Sequence, residues 1–144
     1  MIEKVFLSAP ISSFEENTRY NVFREFILKL VVSLRHIGLE VYSEVELISS
    51  YDDFDSPTES VEVDFSMIRL SDIFLLVHPC KMQTSSLIEL GYAYALNKKI
   101  IIIANKIDLP YMALGLEGIK IIDVAEMDES ALTDIIDQTI EYIG

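Results

Sequence analysis

Two carboxylates in this sequence stand where a carboxylate can do chemistry. Glu89 falls in the first turns of a helical segment, Thr84 to Leu96, with apolar neighbours on both sides and Thr84, Ser85 and Ser86 before it. Asp64 lies on an earlier, shorter helical segment, eight residues before Asp72. A carboxylate at a helix start feels the positive end of the dipole and free N–H groups, which keep it ionised. Ionised and held in place, Glu89 can attack an anomeric carbon and carry a glycosyl intermediate. A second carboxylate that keeps its proton can serve as the acid for a departing base. Hydroxyls in a neighbouring loop can bind a sugar or a phosphate.

Each residue also has a plainer reading. Asp72 suits the turn into a strand, Asp64 an exposed helix face, and Glu89 a charge that simply complements the helix dipole. The residues alone describe an α/β domain with a candidate carboxylate site.

The elements that must position these groups follow from hydrophobic spacing. Lys4 to Ala9 is a short β-branched and aromatic run ended by Pro10, as in a buried strand followed by a loop. Ser13 and Glu16 fit a capping box. From Thr18 to Ile37 apolar residues recur every three or four positions, the mark of an amphipathic helix, and Gly38 ends it. Leu39 to Ser43 is a second strand. Glu44 to Pro57 is acidic and aperiodic, a long loop. Thr58 or Ser60 can cap the helix that runs to Ser71. Ile73 to Val77 and Ile100 to Ala104 are continuous apolar strands, Asn97 is a C-cap, and Ile119 to Val124 is a last short strand before a helix from Glu129 to Ile143.

Strands and helices thus alternate. The expected fold is a single α/β domain over residues 1–144: a doubly wound, flavodoxin-like, parallel five-stranded sheet with helices on both faces. Ligands of such sheets bind at the carboxyl ends of the strands, which here are the loops after Ala9, Ser43, Val77 and Ala104.

Composition narrows the function. The net charge is −13, from 24 acidic and 11 basic residues, which repels phosphate backbones and argues against a nucleic-acid partner. Apolar runs such as Ile100 to Ala104 stop far short of the ~20 residues that span a bilayer. Met1 to Pro10 has no long apolar region and resembles a first strand more than a signal peptide. One cysteine, Cys80, allows neither an internal disulfide nor a cysteine metal pair, so a cytoplasmic protein without metal or cofactor is expected.

Other motifs fall away. Asn105-Lys106-Ile107-Asp108 spells a guanine-reading pattern, but no phosphate-binding glycine loop accompanies it. Tyr51 to Ser56 lacks the calcium-loop spacing. His36 sits late in a helix; His78 ends a strand and could face a site.

The Ser8-Ala9-Pro10 loop, the Asp64 to Asp72 spacing and, above all, Glu89-Leu90-Gly91-Tyr92-Ala93 before a lysine turn and an isoleucine strand resemble the nucleoside 2-deoxyribosyltransferase family. The likeness runs from the first strand to the last helix. It implies Glu89 as nucleophile, Asp64 as the group assisting proton transfer to the base, and a homodimer or higher oligomer in which Tyr111-Met112 reaches the neighbour's site. It also implies a nucleoside or nucleotide substrate near Ser8, Ala9, Pro10, Ser85 and Ser86. Many family members carry a glycine four residues before the glutamate and a tyrosine in strand one. Ser85 and Phe6 stand there here, with Tyr20 or Tyr92 as substitutes for the tyrosine.

A weaker resemblance, to Toll/interleukin-receptor domains that cleave NAD, rests on the first strand and the Ser86 to Glu89 spacing, without their tryptophan. A non-catalytic nucleotide-sensing domain is the third reading. A 5′-phosphate fits either Thr84 to Ser86, where Ser85 or Ser86 is also the candidate cap, or the Ser8 to Ser13 loop beside Arg19. The second is favoured, because a phosphate next to Glu89 repels the carboxylate that must attack.

Overall fold

The computed structural model describes residues 2–53 and 56–144. The proposed loop Tyr51 to Ser56 therefore lies partly outside the described residues, at Phe54 and Asp55. The elements are β1 (Lys4–Ser8), α1 (Asn17–His36), β2 (Glu40–Ser43), α2 (Glu44–Leu47), α3 (Pro57–Leu70), β3 (Ile73–His78), α4 (Ser86–Ala95), β4 (Lys99–Ala104), β5 (Lys120–Asp123) and α5 (Leu132–Ile143), joined by short 3₁₀ turns. The five strands pair in the order β2-β1-β3-β4-β5, and every pairing is parallel. This is the flavodoxin-like order expected from the alternating pattern.

The continuous apolar strands are the central ones, because a strand covered on both faces has no polar side to show. Every residue of β3 is buried, as are Ile100 to Ala104 of β4. On one face Val5, Leu7, Leu75, Val77, Ile101 and Ile103 pack with the apolar stripe of α1 and with Ile135 of α5. On the other, Phe6, Phe74, Leu76, Ile100 and Ile102 pack with Ile68 of α3 and with Leu90 and Ala93 of α4.

Helix α3 is locked to α4. Phe65 stacks on Tyr92 with centroids 4.0 Å apart. Lys98, just past α4, donates to the carbonyls of Ser71 at 2.7 Å and Arg69 at 2.9 Å, the exposed negative end of α3. Asp72 Oδ2 accepts from Lys4 N–H at 2.8 Å, so this aspartate serves the turn into β3.

Several local expectations change. Ser13 belongs to a 3₁₀ turn, Ser12–Phe14, closed by Glu15 in the left-handed region at φ 60°, and α1 starts at Asn17 with no side-chain cap. Ser56, not Thr58 or Ser60, caps α3, accepting from Glu59 N–H at 3.3 Å ahead of Pro57 at the first helical position. Asn97 takes the left-handed conformation (φ 59°) one residue after the C-cap, Leu96. The first part of the expected long loop is ordered as α2. Arg24 donates to the carbonyls of Val45 and Glu46, both at 3.0 Å, and Arg35 grips the Glu46 carboxylate at 2.7 and 2.8 Å. Contacts from α1 supply what local periodicity lacks. Asn105 accepts from Ile107 N–H at 3.3 Å, so it caps a turn.

Ile102 is fully buried between β3 and β5. Ile102→Ala is expected to lower stability by about 2–5 kcal/mol, read from urea denaturation, through lost burial plus a cavity.

Candidate active site

Parallel strands place all their carboxyl ends on one edge, and the side chains there converge. Ser8 is the last residue of β1 and shares the Phe6 face, since alternate residues of a strand point the same way. Glu89 is in the first turn of α4, which leaves the same edge after β3. Ser8 is buried, and its hydroxyl donates to Glu89 Oε1 at 2.6 Å. Asp64 is buried in the middle of α3, facing α4, with its carboxyl in hydrogen-bonding reach of Glu89. Counted as two ionised carboxylates the pair has no donor, and Asp64 Oδ1 is left unsatisfied. A proton on Glu89, whose affinity for it is raised, supplies the missing donor.

These groups sit in a cleft of about 270 Å³, between the Ala9 to Ser12 loop, one face of α3 and the start of α4. It lies just below the ~300–1,000 Å³ of small-molecule sites. Glu44, the first residue of α2, closes a further side. Among the described lining residues Glu44, Asp64 and Glu89 are charged, all of them acids, and none is Lys or Arg.

The electrostatics reverse one expectation. Burial above all, then the hydrogen-bonded Asp64 carboxyl, push Glu89 up from 4.5 to about 9; the Ser8 hydroxyl opposes this, and the charges of Asp64 and Glu44 add to it. The helix N-terminus does not keep Glu89 ionised. A helix dipole contributes about 0.3–1 kcal/mol, whereas each unit of pKa shift represents about 1.4 kcal/mol. Desolvation and like charge win.

Of the sequence-derived candidates, the structure gathers Ala9, Pro10, Asp64, Ser85, Ser86 and Glu89 around the cleft, with Ser8 bonded to Glu89 from behind. Arg19 is exposed and does not line it. Neither does Met112, which is exposed beside Tyr111. Ser85 stands at the N-cap position of α4 but its hydroxyl makes no capping bond; Thr84 Oγ1 accepts from Ser86 N–H at 3.3 Å instead. Tyr20 and Tyr92 do not take the place of a strand-one tyrosine. The Tyr20 hydroxyl donates to Ile48 carbonyl at 2.6 Å, and that of Tyr92 accepts from Arg69 at 2.9 Å. His78 is fully buried outside the lining, where burial lowers its proton affinity.

Glu44, Ile48, Ser60, Val61 and Phe65 were missing from the candidates. Ser60, Val61, Asp64 and Phe65 share a helix face at spacings of three and four, a signal present in the sequence. Glu44 and Ile48 had none, because α2 was not expected. Among the described residues no group of three or more His, Cys, Asp or Glu side chains is arranged to hold a metal ion, and no helix is long and apolar enough to cross a membrane.

No family model and no curated protein matches this sequence. Solved structures do match the fold. The CMP N-glycosidase BcmB of Clostridium botulinum is 23% identical, with a TM-score of 0.69 over 92% of this chain and 98% of that one. BlsM is 18% identical, with a TM-score of 0.79 over 99% and 92%. A 2-deoxyribosyltransferase from Bacillus psychrosaccharolyticus is 18% identical, with a TM-score of 0.62 over 93% and 90%. This chain has the nucleoside 2-deoxyribosyltransferase-like fold that they share.

The raised affinity of Glu89 for its proton makes stability depend on pH. Between 4.5 and about 9 the folded chain keeps a proton that the unfolded chain releases. Stability therefore falls as pH rises through that window, by at most about 1.4 kcal/mol per unit. Glu89→Gln carries no such proton. Its stability relative to the native protein is expected to rise from about pH 5 to about pH 8 in chemical denaturation; parallel pH dependences would contradict the assignment.

Proposed function

We propose that this protein cleaves, or transfers the sugar across, the N-glycosidic bond of a (deoxy)nucleoside or nucleotide. The observation that carries the reading is the Glu89–Asp64 pair: two buried carboxyls within hydrogen-bonding reach of each other in a small cleft at the carboxyl edge of the sheet. One proton on two carboxyls is what the reaction needs. With the proton on Asp64, Glu89 is the ionised partner. Its carboxylate attacks the anomeric carbon and forms an ester to the sugar as the carbon–nitrogen bond breaks. The bond's electrons leave with the base, which takes the proton from Asp64. Water or a second base then displaces Glu89, giving its proton to Asp64, and the pair returns to one proton.

The fold neighbours support this class of reaction, since two of them are an N-glycosidase and a deoxyribosyltransferase. The acidic lining favours a nucleoside over its 5′-phosphate, which would meet Glu44 and no basic side chain from the described lining.

The test is one panel of nucleosides, their monophosphates and NAD, with base release followed by chromatography. Free base is expected from at least one nucleoside or nucleotide. Glu89→Gln keeps the shape without the attacking charge and is expected to lower turnover by about 10³-fold or more. Turnover by the Gln variant near the native rate would remove the mechanism, and nicotinamide release alone would replace the substrate class.

The protein is further proposed to act as a homodimer. Tyr111 is 91% exposed and Met112 79%, beside exposed Ile107 and Leu114. At a net charge of −13, copies of this chain repel one another, so self-association needs such an apolar surface. Light scattering is expected to give a dimer that Tyr111→Asp weakens; a native monomer at working concentration would refute the assembly.

A further inference from the structure

Strand β1 offers two residues to the face that carries the cleft, Phe6 and Ser8. Phe6 is committed to the core: its ring stacks between Tyr42, at 5.6 Å, and Phe74, at 5.8 Å. Ser8 stands one pleat further on, at the carboxyl edge, 2% exposed, and reaches Glu89 Oε1 at 2.6 Å. That is a short O–H···O hydrogen bond, and such a bond is stronger to a charged acceptor than to a neutral one. A serine hydroxyl has one proton to donate. Given to Glu89, that proton cannot also be given to a substrate.

We propose that Ser8 is the positioning residue of the nucleophile: its hydroxyl holds Glu89 through Oε1 and stabilises the carboxylate form. The inference rests on the function proposed above and gives Ser8 a role different from substrate binding. It also explains how the strand supports Glu89 without a tyrosine at position 6. Four groups face the Glu89 carboxyl, each from a different element: Asp64 from α3, Glu44 from α2, Ser8 from β1 and the first turn of its own helix. Asp64 and Glu44 favour the protonated form. Ser8 is the side chain among them that favours the charged one.

The test compares Ser8→Ala and Ser8→Thr with the native protein. In Ser8→Ala, kcat is expected to fall about 10- to 100-fold with KM changed less than about two-fold, since less of Glu89 is in the charged form that attacks and the carboxylate has lost its anchor. The acidic limb of the pH–rate profile is expected to move up by on the order of one pH unit, because the charged form has lost its donor. Ser8→Thr keeps the hydroxyl and is expected to restore most of the rate and the position of the limb. A raised KM with unchanged kcat would make Ser8 a substrate contact and overturn the proposal. So would a slower enzyme with an unmoved limb and no rescue by Thr, which is the behaviour of a packing residue.

A second measurement does not depend on turnover. The Glu89 carboxyl is titrated by infrared difference spectroscopy, with Glu89→Gln identifying its band. An upward shift of the midpoint in Ser8→Ala is expected. An unmoved midpoint would overturn the proposal even in an active enzyme. Absence of base release from every nucleoside and nucleotide, together with a shifted midpoint, would instead remove the proposed reaction and leave the Ser8–Glu89 coupling intact.

Discussion

Everything at the site depends on β1 and β3 lying side by side in a parallel sheet. The register Phe6 to Phe74 and Ser8 to Leu76 sets the carboxyl end of one strand against the neighbour from which α4 departs. From β1 the chain winds towards β2 by way of α1, on one face; from β3 it winds towards β4 by way of α4, on the other. The two connections diverge and leave a crevice at the carboxyl edge. Ser8 stands on one side of it and Glu89 on the other, 81 residues apart in sequence and 2.6 Å apart in space.

The third member, Asp64, needs a separate restraint, because α3 belongs to a third connection, the one from β2 to β3. That restraint is the packing of α3 on α4. The Phe65–Tyr92 stack and the two Lys98 hydrogen bonds hold the helices at a fixed offset, and Ile68 anchors α3 to the sheet one turn beyond Asp64. The acidic group is therefore carried on a rigid element and not on a loop, which suits a proton transfer that tolerates little misplacement.

Burying two carboxyls side by side in a chain already rich in acids works against stability, and no basic residue from the described lining offsets it. The surroundings oppose the cost in part: Ser8 donates to Glu89, and the raised proton affinity of Glu89 removes its charge from beside Asp64. Local rules of stable design are broken here and kept in the core beneath, where β3 and β4 are buried throughout their centres. Such a break at one place is the usual mark of a functional site.

Much of this was present in the chain before any folding. Continuous apolar runs at Ile73 and Ile100 read as buried parallel strands, and the three-and-four spacing after Thr18 as an amphipathic helix. Periodicity is a local property, so the fold class, the strand-end loops and the helix positions of Asp64 and Glu89 were legible. What could not be read depends on distance in space. Helix α2 exists because Arg24 and Arg35 reach it from α1, and through it Glu44 enters the cleft. Arg19 looked like a ligand residue from its place near the first loop, yet it is exposed and outside the lining. The ionisation of Glu89 was inverted for the same reason. A helix start is visible in the letters, but desolvation and a second carboxyl at hydrogen-bonding distance arise only once α3, α4 and β1 have closed around it.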